Sequence, residues 1–250
     1  MPNALVRKLE GYAPLEVSDR ERLLNVCEKT AVVEADRYIT RAGDSPKDVV
    51  VILEGLAVRS KLLRDGRRQI LAFLVAGDFC DLHVAVLDRM DHDILAIMPC
   101  TVARISRNAV QEMTETRPRL AKALWWCTLV DEATLREWLV NLGQRDAEQR
   151  IAHLFCELQT RLQAVELTTD GSFGLPITQD ELGDAMGLSA VHVNRSLKAL
   201  RDAGLVSFRG RTIHIPDIER LQNFADFDPS YLHLRHGPEA ESPVPLLRQA

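Results

Sequence analysis

Cationic and amide side chains recur at helical spacing near residue 195, in a pattern that suits contact with a DNA duplex. At about 100° per residue, one side of this helix carries Val193, Leu197 and Leu200, which we expect to pack inward. The opposite side and its flanks carry Val191, His192, Asn194, Arg195 and Lys198. Arginine donates two hydrogen bonds to a guanine edge, asparagine pairs with adenine, and a valine methyl contacts thymine. The spacing therefore predicts a helix that contacts base edges in the major groove.

The segments on either side of this helix predict how it is held. Thr178 lies three residues before Glu181, which is the spacing of a capping box at a helix start. Gly187 supplies a tight turn, Ser189 caps the second helix, and Gly204 follows its end. Two short helices joined by a glycine turn are typical of a helix-turn-helix.

Local charge supports the same interpretation. Residues 189–211 contain five basic side chains and one acidic side chain, a local charge of +4 in a chain whose net charge is −5. Clustered positive charge in an acidic protein indicates a phosphate-binding surface. The turn Arg209-Gly210-Arg211 separates two short β-rich runs. This turn predicts a wing that carries two cations to the DNA backbone.

Residues 31–106, which precede these helices, have a sequence pattern typical of strands and turns. Short β-rich runs such as VVVILEG and RQILAFLV alternate with glycine-containing turns. Asp65-Gly66 predicts a two-residue hairpin, because both positions tolerate positive φ. Short, evenly spaced strands are typical of an antiparallel barrel or jelly roll.

A long helix is predicted between the two regions. Pro118 suits a helix start, and apolar residues cover a broad arc from 120 to 142, which predicts contacts with more than one partner. Gly143 is expected to end this helix.

Composition excludes several protein classes. With 46% hydrophobic and 27% charged residues, 250 residues can form a globular core. The longest apolar run, near residues 70–76, is far below the ~18 residues that cross a bilayer. The segment MPNALVRKLEGY lacks the apolar stretch of a secretory signal, so we expect none. The five cysteines are scattered and form no CxxC pair. We therefore expect a cytoplasmic protein with reduced thiols and no contact with a membrane.

The order of these parts resembles the Crp/Fnr family of transcription regulators over residues 15–220. The similarity is carried by PITQDELGDAMGLS…NRSLKALRDAGLV and, less specifically, by VILEGLAVRS and VAGDFCDL. The resemblance implies an α+β fold. Its expected parts are an antiparallel β-roll (double-stranded β-helix or jelly roll) with flanking helices at 1–118, a dimerisation helix at 119–143 and a winged helix-turn-helix at 144–220. Beyond the resemblance, the prolines and polar residues of the C-terminal segment predict a poorly ordered tail at 221–250.

The resemblance also implies a homodimer that binds double-stranded DNA at a near-palindromic site, with RNA polymerase and an unidentified effector as further partners. Thr178, Gln179 and Ser189 are then expected to contact phosphate. Ala190 and Val191 stand where the family usually carries Arg or Glu, so familiar DNA sites are not expected here; Arg195 keeps the family's guanine-contacting residue.

The sensor positions depart from the family's cyclic-nucleotide binders. A Gly-Glu-Leu segment is replaced by residues 79–82, and an Arg-Ser or Arg-Thr pair by His92-Asp93. Asp93 beside a cyclic phosphate is unfavourable. No cysteine cluster precedes Cys27, and a single histidine rarely indicates haem, so cyclic nucleotide, iron–sulfur cluster and haem are each disfavoured. Asp81, His83 and His92 have no spacing specific to a metal site, and none is assigned. The candidate effector pocket comprises Phe79, Asp81, Leu82, His83 and His92.

Two other functions remain open. The chain could be an effector-binding protein whose degenerate helix-turn-helix contacts proteins. It could also be a cupin-like enzyme, but such enzymes need clustered histidine and carboxylate ligands, and the predicted roll holds only His83 and His92. We therefore expect no enzymatic activity and no catalytic residues.

Overall fold

The computed structural model describes residues 2–234. Its α-helices are α1 Ala4–Glu10, α2 Val17–Val26, α3 Arg107–Thr116, α4 Pro118–Gln144, α5 Ala147–Ala164, α6 Gln179–Met186, α7 Ala190–Asp202 and α8 Ile218–Ala225. Its strands are β1 Thr30–Val33, β2 Tyr38–Thr40, β3 Asp48–Glu54, β4 Ala57–Leu62, β5 Arg68–Leu74, β6 Asp93–Ala96, β7 Cys100–Ser106, β8 Ser172–Gly174, β9 Ser207–Arg209 and β10 Thr212–His214.

The first seven strands form two antiparallel sheets, in the orders β1-β7-β3 and β2-β6-β4-β5. β3 is rich in β-branched residues, and Val49, Val50, Val51 and Ile52 are all buried in the core of the roll. Branched side chains favour strands because they pack well on a pleated surface. The antiparallel β-roll is therefore confirmed.

The β4–β5 hairpin differs in detail from the prediction. Leu63 donates its N–H to the carbonyl of Arg67 at 2.8 Å, so three residues, not two, form the loop. Gly66 has φ +86°, whereas Asp65 does not have positive φ. This is the three-residue loop in which only the last residue is left-handed, so the Asp-Gly pair marks the hairpin but not its length.

α4 begins at Pro118, as predicted, and continues through Gly143 to Gln144. The expectation that Gly143 ends the helix is wrong. A glycine in a helix costs only about 1 kcal/mol, and the helix stops instead at Arg145, whose backbone is extended. Asp146 follows directly and caps α5, with its side chain accepting the N–H of Gln149 at 2.8 Å.

The second half of the chain packs onto the roll through one apolar cluster. Phe73 of β5 contacts Trp138 of α4 with ring centroids 6.3 Å apart, and Phe155 of α5 lies in the same cluster. β5 is the edge strand of its sheet, and α6 lies against it. Arg68 pairs with Asp184 at 2.8 Å, and Gln69 donates to the carbonyl of Ala185 at 3.2 Å. The helix-turn-helix is thus docked on the β-roll.

The predicted poorly ordered tail is wrong for residues 221–234. They complete α8 and then form a 3-10 turn, Pro229–Leu232, with Leu221, Phe227 and Leu232 buried in the apolar cluster. The prolines and polar residues of this segment led to the wrong prediction, because they hide the apolar residues that are buried in the structure. Residues 235–250, the rest of that predicted tail, lie outside the described residues.

Candidate nucleic-acid interface and sensor cavity

The two helices of the candidate DNA-binding unit begin at the predicted caps. Thr178 and Glu181 form the capping box, with the N–H of Thr178 donating to the Glu181 carboxylate at 2.7 Å. Ser189 caps α7 and accepts the N–H of His192. Gly204, two residues after the end of α7, has φ +66°. Local sequence signals therefore located both helices correctly.

Two glycines set the angle between α6 and α7. Gly187 has φ +65°, which L side chains rarely adopt, and it makes the turn. Gly183 faces the turn so closely that a Cβ there would lie 2.5 Å from the carbonyl oxygen of Leu188. Any larger residue at 183 would push the two helices apart. Gly183 was not singled out from the sequence, because a glycine inside a helix carries no local signal of such a contact.

α7 presents the two faces that its spacing predicts. Val193 and Leu200 are fully buried, and Leu197 is half-buried. The outward side chains are exposed, namely Val191, His192, Asn194, Arg195 and Lys198. Val191, at the N-terminal end of this face, is 79% exposed, so an apolar side chain is held in water. An exposed apolar residue beside exposed cations suits a base edge better than a solvated helix face.

The orientation of α7 is fixed by two polar contacts. Asn194 donates to the side chain of Gln179 at 3.4 Å, which links the predicted base-contacting and phosphate-contacting residues. Ser196 is completely buried and donates to the carboxylate of Glu148 on α5 at 3.0 Å. Ser196 was not predicted, because a serine in a helix usually lies on the solvent side. These contacts hold the outer face of α7 in one orientation.

The wing forms as predicted. β9 and β10 pair around Gly210, whose φ is +60°, and Arg209 and Arg211 are exposed at the turn. Arg201, another contributor to the local positive charge, lies over the ring of Phe208 at 5.9 Å. Arg201 therefore supports the wing in addition to providing charge.

Four of the five predicted effector-pocket residues line a cavity of about 100 Å³ between the roll, α4 and α5: Phe79, Asp81, Leu82 and His83. His92, the fifth, is buried beside the cavity and does not line it. Its Nδ1 lies 2.6 Å from Asp91, and its Nε2 lies 3.1 Å from Asp81. Asp81 also contacts His83. The hydrogen bond from His92 lowers the pKa of Asp91 below its ordinary value.

Three cations line this cavity, Lys8, Arg59 and Arg161, and none of them was predicted to do so from the sequence. The guanidinium of Arg59 is buried, pairs with Asp131 of α4 at 2.8 Å and donates to the carbonyl of Cys80 at 3.1 Å. Burial by itself lowers the pKa of Arg59, but the carboxylate of Asp131 outweighs it and raises that pKa. Arg59 therefore joins the β-roll to the long helix.

The cysteine thiols lie in surroundings that disfavour reaction. All five are buried and none forms a disulfide within the described residues. Burial raises the pKa of the Cys100 thiol to about 11 and that of Cys127 to about 12. Thiols with such pKa values stay protonated and react slowly. No cluster of three or more metal-ligating side chains occurs in residues 2–234, and no helix described there could cross a bilayer.

Comparison with known proteins agrees with both halves of this geometry. Residues 31–117 match the sequence model of a cyclic nucleotide-binding domain. Residues 149–224 match that of a Crp-like helix-turn-helix domain. The chain belongs to the Crp/Fnr family of transcription regulators. Crp/Fnr regulators bind DNA through the helix-turn-helix and act as dimers, and they are not enzymes.

Relatives match this Crp/Fnr chain over most of its length. It is 28% identical over 199 residues to the transcriptional activator protein FnrL of Cereibacter sphaeroides, covering 78% of this chain and 79% of that relative. It is 28% identical over 174 residues to the nitrogen fixation regulation protein FixK of Bradyrhizobium diazoefficiens, covering 70% and 72%. The solved structure of FixK2 from Bradyrhizobium japonicum superposes with a TM-score of 0.71 at 27% identity, covering 78% of this chain and 96% of FixK2.

Proposed function

We propose that this Crp/Fnr regulator binds its DNA site with the outer face of α7 and controls that binding through the cavity of the β-roll. The observation that carries the proposal is the outward face of α7, where Arg195 and Lys198 are exposed while Val193 and Leu200 are buried. A protein of this kind acts where the chromosome lies, so we assign it to the cytoplasm.

The contacts divide into two classes. Val191, His192, Asn194 and Arg195 face base edges. The phosphate contacts come from the starts of the two helices, from the body of α7 and from the wing: Thr178, Gln179, Ser189, Lys198, Arg209 and Arg211. All of the phosphate-contacting residues are exposed. Phosphate contacts fix the register of a protein on DNA, and base contacts supply the sequence preference. Ala190 and Val191 replace the polar residues usual in the family. We therefore expect the preferred DNA site to differ from the sites of those family members at the base pair that residues 190 and 191 face.

Two copies of the chain pair through α4 in this proposal. The outer face of α4 exposes Trp125, Leu129 and Leu139, which are 69%, 48% and 72% exposed. Large apolar side chains on one helix face indicate a protein interface. Pairing of this face would hold two recognition helices about one DNA turn apart on a near-palindromic site.

The effector is proposed to be something other than a cyclic nucleotide, haem or an iron–sulfur cluster. The position of the family's phosphate-binding arginine holds His92, which is engaged by Asp91 and Asp81. The cavity of about 100 Å³ is smaller than the roughly 300–1,000 Å³ of typical ligand pockets. Arg59 is already paired with Asp131. RNA polymerase is a further partner that we propose from family membership alone.

Arg195→Ala tests the base-contacting role. The preferred site is first selected from a random pool of duplexes with the unaltered protein. The variant should then lose about 1–3 kcal/mol of binding free energy at one base pair per half-site and should tolerate other bases there. Arg64→Ala, an exposed arginine on the β4–β5 hairpin, is the matched control. Unchanged affinity and unchanged preference in Arg195→Ala would show that α7 does not contact DNA.

A further inference from the structure

The segment from Asp226 to Leu234, which we name the C-terminal strap, returns from the DNA-binding unit to the sensor. The match to the helix-turn-helix model ends at residue 224, so the strap lies beyond the part that the family description covers. Within it, Phe227 and Leu232 are buried, and the 3-10 turn packs against α4. A surface segment with no role in packing would not bury two large apolar side chains.

The strap is attached to both long helices. Arg145, at the end of α4, donates to the carbonyl of Asp226 at 2.8 Å. The ring of Phe227 meets His153 of α5 edge-on, with centroids 5.0 Å apart. The ring of His233 meets Trp126 of α4 in the same manner at 6.4 Å. The strap therefore spans the junction at which the DNA-binding unit leaves the long helix.

Tyr231 connects the strap to a buried network of charges. Its hydroxyl donates to Glu157 of α5 at 3.0 Å, and the same carboxylate pairs with Arg161 at 2.8 Å. Arg161 pairs in turn with Asp78, which follows β5 and also contacts Lys8 of α1. One chain of polar contacts thus runs from the strap through α5 to the roll and the N-terminal helix.

The end of the strap closes the sensor cavity. Leu232 and Leu234 line the same cavity as Phe79, Asp81 and His83. Leu232 is 2% exposed. The chain therefore fills part of its own cavity with two leucines, and a ligand larger than the remaining space would have to displace them.

We propose that the C-terminal strap is an internal occupant of the sensor cavity that holds the DNA-binding unit docked on the β-roll. While Leu232 and Leu234 fill the cavity, Tyr231 keeps α5 in the buried charge network, and α6 stays against the edge of β5. Entry of an effector displaces the leucines and loosens that docking. The inference rests on the proposed function only in assigning the cavity to an effector. The coupling between the cavity and the docking of α6 depends on the contacts of the strap alone.

Hydrogen exchange of the full chain tests the link without DNA and without the effector. Tyr231→Phe removes one contact to Glu157, and Leu232→Ala opens the cavity. Either variant should speed exchange at least about tenfold in both α6 and residues 79–85, because a lost buried hydrogen bond shifts a local opening equilibrium by about that factor and lost core methyl groups shift it further. The decisive effect is that of Leu232→Ala on α6, which does not line the cavity; Ala72 and Leu74 of β5 do line it, so β5 is left out of the comparison.

The matched controls are Tyr38→Phe and Leu62→Ala, which change exposed residues of the roll. Amides of β1 in the other sheet serve as an internal reference. Faster exchange in α6 and residues 79–85 with unchanged β1 supports the strap. Equal acceleration in α6, residues 79–85 and β1 would show global destabilisation, and unchanged α6 would show no link; either result overturns the inference. Absence of DNA binding by the unaltered protein would instead contradict the proposed function and would not affect the hydrogen-exchange result.

Discussion

The outer face of α7 and the junction around Asp78 are both rich in charge, and they use it in opposite ways. On α7, Arg195 is exposed and makes no ion pair with any described residue, while Lys198 has only an exposed contact with Asp202 at 3.4 Å. At the junction, Asp78 is buried and paired with both Lys8 and Arg161. The first set of charges is available to a partner; the second is satisfied within the chain.

This difference separates recognition from architecture. Burial by itself would lower the pKa of Lys8 and raise the pKa of Asp78. The attraction between the two opposite charges outweighs burial, so the pKa of Lys8 is raised and the pKa of Asp78 is lowered. Charges held in this way resist any change of partner. Exposed charges such as those of α7 contribute little to stability and can be neutralised by phosphate. Substitutions in the two regions should therefore affect different measurements.

Asp78→Asn should give the largest loss of stability. Removal of this charge leaves the half-buried Lys8 without its carboxylate and Arg161 with Glu157 alone, and breaking such a pair typically costs about 3–5 kcal/mol of unfolding free energy. Asp65→Asn is the control, because Asp65 pairs with Arg67 on the exposed hairpin and should cost at most about 1 kcal/mol. Chemical denaturation measures both. Equal losses in the two variants would refute the distinction between buried and exposed charge.

Leu139→Glu extends the comparison to the exposed side of α4. The surface that is open to a partner there is apolar instead of charged. If two copies pair there, the variant dimer loses the burial of two leucine side chains, which contributes about 1.5 kcal/mol each. The dimer dissociation constant should rise about a hundredfold, as measured by sedimentation at several concentrations. Val86→Glu, at an exposed position of the roll, should leave it unchanged. A dimer unaffected by Leu139→Glu would place the interface elsewhere.

His153 provides a smaller effect that depends on pH. Burial, with a further contribution from Arg145, lowers the pKa of His153 from 6.5 to about 3 in the folded chain. The unfolded chain therefore takes up a proton near pH 6.5 that the folded chain does not, and the unfolding free energy falls with acidification by up to about 1.4 kcal/mol per pH unit.

Denaturant unfolding between pH 7.5 and 4.5 checks this slope. His153→Leu removes the titrating group and should flatten the dependence on pH through that window. Identical slopes in the variant and the unaltered protein would show that His153 is not the group responsible.

The helix-turn-helix could be predicted from the sequence in detail, whereas the sensor could be predicted only in part: its β-roll and four residues of its cavity were predicted, but Arg59 was not. Capping by Thr178 and Ser189 and the turn at Gly187 are local, because each depends on residues within four positions along the chain. The faces of α7 follow from helical periodicity alone. These rules need no knowledge of the rest of the fold.

The missed residues depend on distant contacts. Arg59 and Asp131 are separated by 72 positions, and Arg161 and Asp78 by 83. Nothing in the neighbouring sequence distinguishes such residues from ordinary exposed charges. The strap was missed for a related reason: its prolines and polar residues are typical of loops, while its apolar side chains find their partners only on α4, α5 and the roll.

The salt dependence of DNA binding tests the central claim most directly, namely that exposed cations of α7 neutralise phosphate in a dimer. The logarithm of the affinity should fall linearly with the logarithm of salt concentration, and Lys198→Ala should reduce the slope by roughly 1.8, which is about 0.9 for each of two copies. A flat dependence in the unaltered protein would contradict the claim and favour a helix-turn-helix that contacts proteins. An unchanged slope in Lys198→Ala would exclude this face of α7 from the DNA backbone.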